Sequence, residues 1–211
     1  MTPEKPAPPG NRRQEQKAQT GALILDAART LFEECGFDGT TMRAVAARAE
    51  VGLGTIFSHF PDKASLLVAA LLEDLAKEDR RILETFPKDA PIRDQILHFA
   101  KAGFGYWCLR PELSATLLRE WWFIKGPWAE KRREETARFI ELVVRILEGA
   151  QQRGEIRSEV GLQNAAEALY SFYVGRLIRA AGEDRFDVDV LLASMESFVD
   201  DLLRGIGTDQ G

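Results

Sequence analysis

Residues 40–63 read Thr-Thr-Met-Arg-Ala-Val-Ala-Ala-Arg-Ala-Glu-Val-Gly-Leu-Gly-Thr-Ile-Phe-Ser-His-Phe-Pro-Asp-Lys. Thr40 or Thr41 can accept a hydrogen bond from the free N–H groups that open a helix. Thr41 to Arg48 then turns Val45 and Ala46 inward, followed by Ala49, as a short amphipathic helix does. Ala49 to Val51 is a tight turn. Gly52 to His59 forms a second short helix, and Pro61 stops it because proline cannot continue the hydrogen-bond ladder. Two short helices joined in this way predict a helix-turn-helix, whose second helix can enter a DNA major groove.

The flanks agree with a three-helix head. From about Gln14 to Glu34, Leu23, Ile24, Ala27, Ala28, Leu31 and Phe32 recur on one helical face, and Gly36 ends that helix. Residues 1–11 hold Pro3, Pro6, Pro8 and Pro9 with little apolar content, which predicts a disordered, partly extended tail. Arg12, Arg13 and Lys17 follow as a short basic run, either a solvated helix start or an arm on phosphates or the minor groove. The head is therefore expected over 12–60.

Residues 61–206 read as a second, wholly helical domain. Asp62 caps a long fourth helix that Phe86-Pro87 ends. Further helices run from Pro91 to about Leu109, Pro111 to about Ile124, Trp128 to Arg153, Leu162 to Ala181 and Val188 to Leu203, with breaks at Gly126-Pro127 and between Gly154 and Gly161. No window alternates as a strand does, and no repeat is present. The fold class is all-α, with about nine helices.

Composition bounds the function. The 211 residues are 45% hydrophobic and 29% charged, as in an ordinary globular protein. No apolar run is long enough to span a bilayer and the opening segment lacks a signal peptide's apolar stretch, so no membrane partner and a cytoplasmic location are expected. Cys35 and Cys108 have no metal or redox spacing and are expected to be buried thiols. The net charge of −5 is unevenly spread. Residues 1–63 carry eight Lys/Arg and eight Asp/Glu, the remainder 20 and 25. The acidic excess thus lies outside the head, and a neutral head can still hold phosphates through a few cations and helix N-termini.

The block from Phe37 to Leu67 resembles the N-terminal domain of the TetR/AcrR family of bacterial transcriptional regulators. The matching residues are Gly36-Phe37, Thr40-Thr41, Val45-Ala46, Ala49, Val51, Gly54-Thr55, Phe57, Phe60-Pro61, Lys63 and Leu66. The resemblance implies a repressor-type regulator that binds a palindromic double-stranded operator as a homodimer and is released by a small-molecule effector. It places Leu53, Thr55, Ser58 and His59 on the exposed side of the recognition helix. Thr41 and Arg43 become phosphate contacts at the second helix, Gly52 the cap of the third, and Lys63 a phosphate contact at the fourth. Phe57 stands where the family often has a backbone-touching Tyr, and without a hydroxyl it is expected to pack. Glu50 occupies the turn position where the family often has Gly, which predicts a mildly strained turn. Gly52 and Leu53 replace a common Ser and Lys, and Leu53 offers an apolar tip suited to a thymine methyl.

In the second domain all four Trp fall between 107 and 128. Phe99, Phe104, Trp107, Trp121, Trp122, Tyr170 and Tyr173 are candidates to line an apolar ligand pocket, although for any one of them a place in a large core is the more ordinary role. At most one of Trp121 and Trp122 is expected to face a cavity, since they point about 100° apart on a helix. Gly103 and Gly105 inside a helix suggest a kink or a space left for something. His98, Arg119, Glu120, Tyr170 and Tyr173 are the polar candidates nearby. Leu191, Met195, Phe198 and Leu202 form a seam on the last helix, and Phe172 and Gly175 step down the one before. Both are read as a dimer surface, with packing inside one chain as the alternative.

No metal site or cofactor is expected. His59 and His98 are far apart, no zincin, paired-Cys or Walker motif occurs, and Gly52 to Phe57 lacks the third glycine of a dinucleotide loop. An enzyme is therefore disfavoured. The alternative to the regulator is a helical ligand-binding or protein-interaction module that does not bind DNA.

Overall fold

The computed structural model describes residues 9–206, which form nine α-helices and no strand. They separate into two compact units, the first ending at Leu71 and the second starting at Leu72.

The first unit opens with α1 (Pro9–Gly39), which is interrupted at Gly36, where φ is 69°. The tail expected over 1–11 falls partly outside the described residues. Pro9 to Asn11 already belong to α1, as suits a proline, whose fixed φ and missing N–H fit a first helical turn. Leu23 lies outward at 59% exposure, and Leu25, at 6%, takes an inward place not expected from the spacing. α2 (Met42–Arg48), α3 (Leu53–His59) and α4 (Lys63–Glu84) follow. Ile24, Ala28, Val45, Ile56, Leu66 and Val68 have no exposed surface. Each large one of these contributes about 1.5–3 kcal/mol by leaving water.

The compact head extends past residue 60 because polar ties hold the start of α4 within it. Asp62 accepts the Ser65 N–H at 2.6 Å. The Lys63 ammonium donates to the carbonyls of Phe37 (2.6 Å) and Thr40 (2.9 Å) and lies 4.2 Å over the Phe37 ring. Arg29 reaches the Ala70 carbonyl at 3.5 Å. The Thr40 hydroxyl, 1% exposed, sits 2.7 Å from the Gly36 carbonyl and 3.0 Å from that of Leu31. It thereby answers acceptors that the break in α1 leaves open.

The second unit comprises the later turns of α4 with α5 (Ile92–Cys108), α6 (Pro111–Phe123), α7 (Pro127–Gln152), α8 (Leu162–Gly182) and α9 (Val188–Ile206). Helix α5 packs on α9, and α8 packs on both α6 and α7. Phe104, Leu147, Ala166 and Val199 are fully enclosed at their junctions. The Ile92 N–H at the start of α5 donates to the Glu155 carboxylate at 2.6 Å, which supplies the cap that Pro91 lacks. Arg93 grips Asp200 with two bonds, 2.6 and 3.2 Å, between α5 and α9.

The two thiols are not buried: Cys35 is exposed on the last turn before Gly36, and Cys108 is half-buried at the end of α5. Neither position lies on an inward face. Among the described residues no helix is long and apolar enough to cross a membrane.

Candidate functional site

The turn before α3 closes through the backbone. The Val51 N–H donates to the Ala46 carbonyl (3.0 Å) and the Glu50 N–H to that of Ala47 (3.3 Å). Glu50 lies between them at φ 54°. This is a Schellman-type helix end with a side-chain-bearing residue in the left-handed position that glycine usually fills. Gly52 starts α3 with no side-chain cap. Thr41 caps α2, its hydroxyl accepting the Ala44 N–H at 3.1 Å. The geometry of this turn sets which side of α3 is displayed.

Only Ile56 of α3 is buried. Leu53 (37% exposed), Gly54, Phe57 (50% exposed) and Ser58 share the outward side. Phe57 therefore does not pack as expected: it points about 100° away from Ile56 on the helix, and Ile56 with Phe60, one turn on, takes the inward face. Thr55 is half-buried. The Ser58 hydroxyl donates to the Thr55 carbonyl at 2.7 Å, and its lone pairs stay available. Thr41 and Arg43 are exposed at the start of α2.

Two of the expected contacts are committed elsewhere. Lys63 is half-buried, with its ammonium on two backbone carbonyls. His59 is half-buried, and its imidazole lies 3.4 Å from where a Cβ on Gly21 would stand. The ring thus abuts α1, and Gly21 makes room for it. Partial burial, with help from the Lys17 charge, lowers the His59 pKa below 6.5 and favours a neutral ring. Sequence periodicity cannot detect either tie, since each joins residues far apart in the chain.

A cavity of about 160 Å³ lies wholly within the second unit. Helix α4 lines it with Leu72, Leu75, Asp79 and Ile82, and the other helices contribute mostly aromatic side chains. Phe99, Trp107, Trp121, Trp122, Tyr170 and Tyr173 are on its wall. Phe104 is not. It is fully buried behind Tyr173, their rings stacked with centroids 4.7 Å apart. Both Trp121 and Trp122 reach the cavity, contrary to the single-facing expectation. Trp121 does so from the core, 8% exposed, and Trp122 from the surface, 40% exposed. Gly103 is accounted for by close approach: a Cβ there would stand 2.5 Å from the Tyr173 hydroxyl. Gly105 has nothing within 4 Å of that position.

The polar groups on the wall differ from those expected. His98, Arg119 and Glu120 are not among them, whereas Glu78, Asp79 and Glu135 are. Burial, then the nearby Glu135 and Glu78, push the Asp79 carboxyl up to about 6, against the opposing pull of Arg80. The Tyr173 hydroxyl accepts a hydrogen bond from Trp107, and burial drives its pKa far upward, so it stays a neutral phenol. Tyr170 is also raised, chiefly by burial, and its hydroxyl meets Thr136 at 3.4 Å. These carboxylates carried no motif. Only the tertiary fold, which brings Glu135 of α7 and Asp79 of α4 to one cavity, turns separate charged faces into one wall.

The expected seam on α9 divides. Leu191 (2% exposed) and Met195 (3%) are buried inside the chain, and Met195 lines the cavity. They belong to the core because α9 lies on α5. Phe198 stacks on Phe172 of α8, with centroids 4.0 Å apart and planes 3° from parallel. This half-buried pair, Leu202, the open Gly175 and the exposed Ile178 and Val190 make up the outward apolar strip of α8 and α9.

A helix-turn-helix head and an all-helical, cavity-bearing body together define a one-component regulator architecture. The sequence signature described as "Bacterial regulatory proteins, tetR family" matches residues 24–70. The chain is 30% identical over 180 residues to the HTH-type transcriptional repressor Rv1474c of Mycobacterium tuberculosis, covering 83% of this chain and 90% of that one. It is 27% identical over 198 residues to the HTH-type transcriptional regulator UidR of Escherichia coli, covering 92% and 94%. Its fold matches Thermus thermophilus FadR, a TetR family transcriptional repressor solved in complex with lauroyl-CoA, with a TM-score of 0.73, 21% identity, and 90% and 97% coverage. The chain belongs to the TetR family of bacterial transcriptional regulators. That its relatives are transcriptional regulators weighs against the enzyme class.

Proposed function

We propose that this chain is a repressor that binds a palindromic operator as a homodimer and leaves it when a small, largely apolar effector enters the body cavity. The cavity carries the proposal: it is partly open to the surface at Trp122, aromatic-lined and about 160 Å³. Packed interiors rarely keep a void of this size, and apolar voids of similar volume take up small organic molecules. The lauroyl-CoA bound by Thermus thermophilus FadR supports an effector site in a body of this fold.

Helix α4 supports the coupling. It runs unbroken from Lys63, tied into the head, to Glu84, and its later turns line the cavity. An effector that favours one arrangement of α4 over another shifts the population of heads able to engage DNA. At the duplex, Leu53 and Phe57 suit thymine methyls, Ser58 a base edge or phosphate, and Thr41 and Arg43 the backbone. Phe172, Gly175, Phe198 and Leu202 serve the dimer surface. Two-fold symmetry then spaces the recognition helices about one DNA turn apart. No cofactor is involved, and the protein acts in the cytoplasm.

A fluorescence-anisotropy titration with DNA flanking its own gene tests this reading, repeated after adding apolar compounds. Saturable, salt-sensitive binding that a compound reverses is expected. Absence of sequence-selective binding would favour a binding module without DNA contact, a reading that the inward commitment of Lys63 and His59 supports.

A further inference from the structure

The cavity wall has a one-sided polar inventory. Its ionisable groups are Glu78, Asp79 and Glu135 with the neutral phenols of Tyr106, Tyr170 and Tyr173, and no Lys, Arg or His lines it. The three carboxylates are not equivalent. Glu78 pairs with Arg81 at 3.4 Å and Glu135 with Arg138 at 2.6 Å. Among the described residues Asp79 has no hydrogen-bond or ion-pair partner. Two of the phenols are already engaged, Tyr170 with Thr136 and Tyr173 with Trp107. An unpaired carboxylate beside an apolar cavity is disfavoured unless something of opposite charge completes it.

Taken as the effector site, which is the reading this step rests on, the cavity points to one ligand chemistry. We infer that the effector is an amphiphilic organic cation, an amine with an apolar or aromatic body, whose ammonium is held by Asp79 with Glu135 and Glu78 behind it. The aromatic wall suits the same charge, because ring faces attract cations. The Trp122 face already does so for Arg132, whose guanidinium lies 5.3 Å away. An anionic head beside Asp79 would meet the one unpaired carboxylate, with Glu78 and Glu135 near it and the Arg132 guanidinium set over Trp122 instead. A carboxylate or acyl phosphate effector is thereby selected against. The raised titration of Asp79, caused by burial and by Glu135 and Glu78, marks a site whose charge is uncompensated without ligand. A bound ammonium favours the ionised form and would pull that titration back down.

The test uses the full chain and three probes with one body and different heads: 4-phenylbutylamine, 4-phenylbutan-1-ol and 4-phenylbutyrate. Quenching of the cavity tryptophans and isothermal titration report binding. The amine is expected to bind about tenfold or more tighter than the butyrate, with the alcohol between. Asp79→Asn should weaken the amine about tenfold and leave the alcohol within roughly twofold, which shows that the variant keeps its cavity. Glu135→Gln should weaken the amine by a smaller factor. Equal binding of all three probes would overturn the charge preference and leave the cavity as an effector site. Butyrate binding as tight as the amine, or an amine indifferent to Asp79→Asn while the alcohol still binds, would overturn it too. Failure of every probe at millimolar concentration would remove the effector-site reading and this inference with it.

Discussion

Replacing Asp79 by Asn should stabilise the ligand-free protein, and the gain should depend on pH. The carboxyl titrates at about 6 instead of 3.8 because burial and two neighbouring carboxylates disfavour its charge. Between those pH values the folded state keeps a proton that the unfolded state has released. Stability therefore falls as pH rises through the window and stays lower above it. The full difference corresponds to about 3 kcal/mol. Asp79 is only half-buried, so solvent screening reduces this to roughly 1 kcal/mol. For a chain of this length that raises Tm by about 2–4 °C. Thermal unfolding followed by far-UV circular dichroism at pH 7.5 and pH 4.5 reads the effect. The gain should be larger at pH 7.5 and shrink at pH 4.5, where native Asp79 is already protonated. A gain identical at the two pH values, or a loss at pH 7.5, would show that the charge of Asp79 is not opposed by its surroundings.

Glu50→Gly, at φ 54°, should raise the stability of the head by about 0.5–1 kcal/mol, read as a higher urea midpoint; a lower midpoint would contradict the strained turn. Arg43→Ala should reduce the salt slope of operator binding by about one, whereas Lys63→Met should lower head stability and leave that slope unchanged, because its ammonium is held by the Phe37 and Thr40 carbonyls. His59 should titrate below 6.5 by NMR. Its unfolded form takes a proton that the folded ring resists, so head stability should decline as pH drops through 6.5, and a ring titrating above 6.5 would refute its packing against α1. Gly103→Ala would put a methyl 2.5 Å from the Tyr173 hydroxyl. The forced shift costs about 1–3 kcal/mol, offset by about 1 kcal/mol of helix propensity, and should change the emission of Trp107.

The helix-turn-helix was legible because its information is local. Capping at Thr41, inward Val45 and Ala46, the stop at Pro61 and the strain at Glu50 all arise within a few residues of chain. The aromatic wall was legible as composition: six of the seven proposed residues line the cavity, while Phe104 stands behind Tyr173. What failed depended on a distant partner. Lys63 as a free cation, His59 as an outward side chain, Phe57 as a packed one, and Leu191 and Met195 as an outward seam were each decided by a neighbour from another element.

By itself the amino-acid order determined the nine-helix class, the displayed α3 and the position of the break at Gly36, because backbone capping and 3.6-residue periodicity act over one or two turns. Only the tertiary structure decided that Asp79 and Glu135, 56 positions apart in the numbering and on different helices, share one cavity wall. Charge on a helix face reads as solvated until a second helix is laid against it. Burial and like-charge repulsion, which give Asp79 its shifted titration, exist only once that packing has formed.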